Sequence, residues 1–171
     1  MHKWTHSRKE SRSMRRRKTR ELVIKAIFAY EIEKGDPYFH LDYISEDAEM
    51  GGYTEGETEK FLSSVEDVYA RQLTGGILKH CQELDQVIDR YAVDWDIKRL
   101  GGADRNILRL ALYEMLFDEK LPPAIAINEA VDLAKMYGTA ESPRFINGIL
   151  GRFADDQKEK TTGSQDDQQI L

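Results

Sequence analysis

Residues 104–116 read Asp-Arg-Asn-Ile-Leu-Arg-Leu-Ala-Leu-Tyr-Glu-Met-Leu, a segment dominated by apolar side chains. Drawn as a helix, these side chains cover most of its circumference instead of forming one stripe. A helix of this kind is buried on several sides, so we expect it at the centre of a bundle. No part of the chain shows the strict alternation of apolar and polar residues that is typical of a strand. The chain is therefore predicted to be all-α.

The segments that follow toward the C-terminus continue the helical pattern. Pro122 and Pro123 separate the central segment from the next one, whose apolar residues recur at helical spacing until Gly138. Ser142 followed by Pro143 is typical of a helix start, with serine as the N-cap and proline at the first helical position. A last apolar stripe follows and consists of Phe145, Ile146, Ile149, Leu150 and Phe153. Two helices are thus predicted after the central one.

The residues before the central segment also predict helices. The first stripe ends before Gly35 and Pro37 and consists of Leu22, Val23, Ala26, Ile27 and Tyr30. The second follows capping-box spacing at 54–57 and consists of Phe61, Leu62, Val65, Val68, Tyr69 and Leu73. Gly75-Gly76 is expected to weaken or bend this helix. The third covers residues 84–91. In total we expect six or seven helices, and residues 35–54 are the least determined segment.

The distribution of charge divides the chain into three zones. The net charge is −6, yet residues 1–20 hold nine Lys or Arg and one acid, whereas the rest holds 16 basic and 30 acidic residues. We predict a flexible basic extension over 1–15, a folded helical domain over 16–154 and a flexible acidic tail over 155–171. A basic arm on an acidic body is compatible with nucleic-acid binding, although the net charge alone argues against it.

Several classes of protein are excluded or made improbable by what the sequence lacks. The single cysteine, Cys81, forms no intramolecular disulfide framework and no Cys-x-x-Cys metal site. The chain carries neither a membrane-spanning apolar run nor a signal peptide, so we expect a cytoplasmic protein. Phosphate-binding loops, zinc-protease motifs and hydrolase motifs are missing, and the histidines have no ligand partners at helical spacing. We therefore expect no catalysis, no cofactor and no metal.

A basic run, Arg15-Arg16-Arg17-Lys18-Thr19-Arg20, precedes the first apolar stripe. At the start of a helix these cations would oppose the helix dipole, so stability alone would favour acids there. A phosphate placed there would meet both the cations and the free N–H groups of the first turn. The run therefore favours an RNA or DNA phosphate site, and a merely solubilising tail is the alternative. Phe145, beside Arg144, is a candidate for stacking on an RNA base, with an ordinary core position as the alternative.

Three segments resemble the NusB family. Residues 104–115 are similar to its central helix, and Ala126-Ile127-Asn128-Glu129-Ala130, continuing to Tyr137-Gly138, is similar to the next helix. Phe145-Ile146-Asn147-Gly148-Ile149-Leu150 is similar to its last helix, and the basic run followed by Ala26-Ile27-Phe28 is similar to its first. The resemblance covers roughly residues 15–154.

The resemblance implies two packed helical sub-bundles and a role in transcription antitermination without enzymatic activity. It implies that the protein binds the single-stranded boxA element of RNA together with the ribosomal protein NusE. This pair works with the elongation complex and other Nus factors, and it supports read-through of ribosomal RNA operons. Whether the chain also forms a homodimer is left open.

The same resemblance assigns candidate site residues. RNA contacts are implied for Arg16, Arg17, Lys18, Arg20, Arg144 and Phe145, with Glu141 as an acid that moderates affinity. Arg109 is a weaker RNA candidate, since it can instead pair with an acid of the bundle. Phe28 and Asp104 match positions near the NusE surface, although the family often has tyrosine where this chain has Phe28.

Two other functions are alternatives to this one. NusB-like domains also occur in ribosomal RNA cytosine methyltransferases, so the chain could be such an RNA-binding domain as a fragment. The residues after Ala154 are too few for a cofactor domain. A DNA-binding regulator is the third hypothesis, but no helix-turn-helix with a basic second helix is apparent. Met14, directly before the basic run, could be the true start.

Overall fold

A computed structural model describes residues 3–50, 64–93 and 100–166, with side chains for 15–45, 67–93 and 100–160. Within these ranges the protein is all-α, as predicted, and contains seven helices and no strand. They are α1 (Lys3–Glu33), α2 (Pro37–Met50), α3 (Ser64–Lys79), α4 (Cys81–Tyr91), α5 (Gly102–Phe117), α6 (Pro123–Tyr137) and α7 (Ser142–Asp166).

The chain forms two compact helical units, residues 1–80 and 81–171. In the first unit α1 packs against α2 and α3, which also contact each other. The predicted stripe of α1 provides the centre, because Leu22, Val23, Ala26 and Ile27 are each at most 2% exposed. Removing these side chains from water is the main force that holds the unit together.

The turn between α1 and α2 begins where the sequence predicts the end of the first helix. Lys34 and Gly35 both adopt positive φ, at 61° and 90°, which reverses the chain after α1. Only glycine takes such a φ without cost. The buried ring of His40 then reaches back to the Lys34 carbonyl oxygen, with its Nε2 3.1 Å away. The expected stop at Gly35 is confirmed.

Helix α3 continues without interruption through Gly75-Gly76, the pair that was expected to weaken or bend it. Packing against α2 explains why glycine occurs there: a Cβ on Gly75 would collide with the hydroxyl of Tyr38. The ring of Tyr38 also lies 5.7 Å from the Arg71 guanidinium, which pairs with Asp42 and Asp67. Glycine at position 75 therefore leaves room for the hydroxyl of Tyr38, a residue that is 36% exposed.

Helix α5 is the centre of the second unit, as its sequence predicts. It packs against α4, α6 and α7, and its buried residues lie on almost every side. Ile107, Leu108 and Leu112 are fully buried, and Leu133 of α6 and Ile146 of α7 are fully buried as well.

A polar contact ties the later part of α7 to α4. The Tyr91 hydroxyl donates a hydrogen bond to the Asp156 carboxylate, which also accepts one from Lys160 at 2.9 Å. The hydrogen bond from Tyr91, followed by that from Lys160, lowers the pKa of Asp156. The same bond to the carboxylate, together with burial, raises the pKa of Tyr91.

Some details differ from expectation or remain untested. Val68 was assigned to an apolar stripe of α3 but is 64% exposed, so its side of the helix was assigned wrongly. The capping box at 54–57 lies outside the described residues. Helix α1 begins at Lys3 and α7 continues to Asp166, so the segments expected to be flexible include helical residues. Their flexibility stays a prediction. Among the described residues, none of the helices combines the length and apolar character needed to cross a bilayer.

Candidate nucleic-acid interface

The basic run lies inside α1 and not at its start. Residues 3–14 precede it in the same helix, so the N–H groups of the run lie in the helix interior, where such groups bond to carbonyls one turn earlier. The prediction that free N–H groups of a first turn hold a phosphate at the run is therefore wrong. What the run offers is the charge of its side chains.

Exposure separates the members of the run. Arg15 is exposed, and Arg16, Arg17 and Lys18 are partly exposed, whereas Arg20 is only 2% exposed. The Arg16 guanidinium lies 5.5 Å from the centre of the Tyr69 ring of α3. Such a contact leaves the rest of the guanidinium available to an anion. Burial gives the predicted RNA contact of Arg20 no support.

The first turn of α7 presents a second small set of polar groups. Glu141 and Arg144 are exposed, whereas Phe145, the residue after Arg144, is only 6% exposed. The ring of Phe145 is thus part of the core of the second unit, the alternative weighed above. Base stacking on Phe145 gains no support from this position.

Arg109 of α5 has a clear structural partner. Its Nε and Nη2 atoms each donate to one oxygen of Asp85 in α4, both at 2.7 Å, and its Nη1 atom donates to Asn106 at 3.0 Å. Only 4% of Arg109 is exposed. A bidentate pair of this kind satisfies the guanidinium within the bundle, so the structure favours the acid-pairing alternative over RNA contact.

The two residues assigned to the NusE surface also differ in exposure. Phe28 is 43% exposed and Ile32, one turn later on α1, is 66% exposed, so this face of α1 is open to a partner. Asp104, in the first turn of α5, is 8% exposed and accepts a hydrogen bond from Ser142 at 2.8 Å. Its burial gives no support to a direct contact with a partner.

The candidates divide between the two units. Arg16, Arg17, Lys18 and Phe28 belong to the first, and Glu141 and Arg144 belong to the second.

Sequence reasoning missed the role of Ser142, whose hydroxyl was expected to cap α7. Its Oγ accepts from the Thr139 N–H at 2.8 Å and donates to Asp104. The glycine before Thr139 was the available signal, because it allows a close approach. In the described part of the chain, no group of three potential ligands is placed to hold a metal.

The comparisons with known proteins agree on one family. The model of the NusB family matches residues 17–155. The transcription antitermination protein NusB of Carboxydothermus hydrogenoformans is 41% identical over 83% of this chain and 94% of its own length. The structure of NusB from T. maritima is 35% identical, with a TM-score of 0.69 over 82% of this chain and 90% of its own.

A crystal structure of NusB and NusE in complex with double-stranded RNA has a TM-score of 0.66. It covers 81% of this chain and 95% of its own. At 23% identity this likeness shows the fold. The family match over most of the chain, with its curated relatives, identifies the protein as a member of the NusB family.

Proposed function

We propose that this protein is a non-catalytic transcription antitermination factor that binds RNA through the basic run of α1. The single observation that carries the proposal is that the cations Arg15 to Lys18 are exposed or partly exposed, at the start of the segment that matches the family. Cations at partly exposed positions bind phosphates, and the release of counterions makes such binding depend on salt. Two curated relatives, 36% and 40% identical to this chain, are named transcription antitermination protein NusB.

The preferred ligand in this proposal is single-stranded RNA of the boxA type, bound together with NusE. Arg16, Arg17 and Lys18 provide the phosphate contacts, and Arg144 with Glu141 adds a second contact point. The exposed Phe28 and Ile32 on α1 supply apolar surface for NusE. Partnership with other Nus factors, read-through of ribosomal RNA operons and a cytoplasmic location complete the proposal.

The acidic composition of the rest of the chain supports a confined RNA site. Outside residues 1–20 the chain carries 30 acids against 16 basic residues, so most of its charge repels a phosphate backbone. Attraction at the run and repulsion elsewhere favour one register of the strand.

The test is fluorescence anisotropy of a labelled boxA-type RNA across a salt series, with and without NusE. A scrambled strand and a boxA duplex serve as competitors. Replacing Arg16, Arg17 and Lys18 together by Ala should reduce the salt slope by about 2, because each single-strand phosphate contact contributes about 0.7. We expect binding to be tighter for the boxA strand than for the competitors, and tighter again with NusE.

The matched control removes three cations from the second unit. Lys120, Lys135 and Lys158 are all exposed, and their joint replacement by Ala changes the net charge equally. This control should keep the salt slope of the unaltered protein. Equal slopes for the two triple variants would remove the basic run from the interface. Equal binding of boxA and scrambled strands would reduce the protein to a non-specific polycation.

A further inference from the structure

A chain of two hydrogen bonds, one buried and one partly buried, joins the start of α5 to the connection between α6 and α7. The Thr139 N–H donates to the Ser142 Oγ at 2.8 Å, and that Oγ donates to the Asp104 carboxylate at 2.8 Å. Ser142 is 2% exposed and Asp104 is 8% exposed. The bond from Ser142 to Asp104 is buried, so losing it would leave a buried polar atom without its partner, whereas the bond from the exposed Thr139 is only partly buried.

Gly138 is fitted closely against this chain of bonds. A Cβ at Gly138 would lie 2.5 Å from both the Cβ and the Oγ of Ser142, and 2.7 Å from the Asp104 Oδ1. The φ of Gly138 is −95°, so glycine is required here for space and not for backbone conformation. The end of α6, the connection and the start of α5 are thus held in one tight arrangement.

The burial of Asp104 is not what stability alone would select. Its Oδ1 atom is buried and has no hydrogen-bond partner in the described structure. An oxygen left in that state destabilises the fold. The position of Asp104 in the first turn of α5 offsets part of this, because the positive end of the helix dipole favours a carboxylate.

The arrangement determines where the first turn of α7 lies. Ser142 is the first residue of α7, and the Phe145 N–H bonds to the Glu141 carbonyl at 3.1 Å. Phe145 is packed into the core, whereas Glu141, directly before α7, and Arg144, in its first turn, are exposed. Any shift of Ser142 therefore shifts both exposed side chains.

We infer that Asp104, Ser142 and Gly138 are positioning residues that hold Arg144 and Glu141 in register for RNA. This inference rests on the proposed function and deepens it. The three residues touch no ligand. They act by holding the first turn of α7 in one geometry. That geometry favours one RNA sequence over another.

The test is a double-mutant cycle between Ser142→Ala and Arg144→Ala, read by RNA anisotropy. Ser142→Ala alone should weaken binding to the boxA strand about three- to tenfold, as expected for coupled neighbours. Its salt slope should fall by no more than the contribution of one phosphate contact, about 0.7, because only the contact of Arg144 depends on this turn. Arg144→Ala should lower the slope by about 0.7. In the Arg144→Ala background, Ser142→Ala should have almost no further effect.

A second readout does not depend on RNA. Hydrogen exchange of the backbone amides of residues 144–147 should become faster in Ser142→Ala and Asp104→Asn, because the turn loses its anchor. Thr74→Val is the control for losing a buried hydroxyl, since Thr74 donates to the Ala70 carbonyl at 2.9 Å in the first unit. It should change neither the exchange of these amides nor RNA binding.

The outcomes separate the two proposals. Additive effects of Ser142→Ala and Arg144→Ala, in a protein that still prefers boxA, would overturn the positioning role and leave the proposed function intact. Unchanged hydrogen exchange in Ser142→Ala would overturn it as well. Failure of the unaltered protein to prefer boxA would overturn the proposed function, and the inference with it.

Discussion

Helices α1 and α5 both carry arginines beside apolar residues, and the two helices use them in opposite ways. In α1, Arg16 is partly exposed and rests on an aromatic ring. In α5, Arg109 is 4% exposed and both oxygens of Asp85 neutralise it. The sequence shows the same residue type in both helices, and the neighbours decide whether its charge is available to a ligand.

The comparison teaches that a cation is a candidate for RNA contact only after its partners are known. A guanidinium buried with a carboxylate contributes to stability, and losing either member leaves the other in an unfavourable environment. A guanidinium at the surface contributes little to stability and much to the attraction of phosphate. Mutations of the two helices should therefore separate the two effects.

The largest expected effect lies in the core around α5. Leu112→Ala should lower the free energy of unfolding by about 2–5 kcal/mol, because Leu112 is fully buried and its loss leaves a cavity. Leu116→Ala on the same helix is the matched control, since Leu116 is 37% exposed. Urea denaturation followed by circular dichroism measures both. Equal losses for the two variants would contradict the central position of Leu112.

A smaller loss is expected from the pair that neutralises Arg109. Asp85→Asn should lower the free energy of unfolding by about 1–3 kcal/mol, since it weakens two charge-assisted hydrogen bonds to a buried guanidinium. Asp85 is itself 40% exposed, which keeps the loss below that of a fully buried pair.

The control for Asp85→Asn is Asp132→Asn. Asp132 pairs with Lys135 at 3.0 Å, and the Lys135 side chain is 61% exposed. Its loss should cost at most about 1 kcal/mol, as is usual for a surface ion pair. If the two variants unfold at the same urea concentration, the claim that the buried ion pair of Arg109 stabilises the fold more than the exposed pair of Lys135 is contradicted.

The smallest effect concerns the partly buried contact of Tyr91 with Asp156, and it appears in the pH dependence of stability. Asp156 has a pKa lowered from its ordinary 3.8, so its contribution is present above that pH and is lost as the pH falls through the folded pKa. Tyr91 has a pKa raised from its ordinary 10.0, so its contribution is present below that pH and is lost as the pH rises through the folded pKa.

Tyr91→Phe should therefore weaken the pH dependence of the melting temperature at both acidic and alkaline pH, because it removes the hydrogen bond that shifts the pKa of both groups. Thermal melts at several pH values measure this, and Tyr43→Phe on the exposed side of α2 is the control. A Tyr91→Phe profile that overlays the unaltered one would show that the contact is not formed in solution.

The sequence was sufficient for the elements that depend on local pattern. Apolar periodicity identified the buried face of α1 and the central position of α5, because burying such faces is what stabilises a helix in a fold. It failed at Val68, whose side of α3 depends on which neighbouring helix covers it. The start of α1 was also missed, because residues 3–14 have almost no apolar residues to provide a signal.

The candidate site was less predictable because its decisive contacts join distant residues. Ser142 meets Asp104 across 38 positions, and Arg109 meets Asp85 across 24. No local pattern reports such a contact. The family resemblance placed Asp104 near the NusE surface, and the Ser142-Pro143 pair predicted a helix cap. The exposure of Arg144 and Phe28, by contrast, agrees with what the family resemblance implies.

The division at His80 also bears on how the protein is made. The first unit uses one continuous stretch of chain, residues 1–80, and its three helices pack mainly on one another. Helical units with such short sequence separations fold within milliseconds, whereas a ribosome adds only about 5–20 residues per second. If the first unit folds on its own, it has time to do so while the second is still being synthesised, and the basic run would then be presented before translation ends.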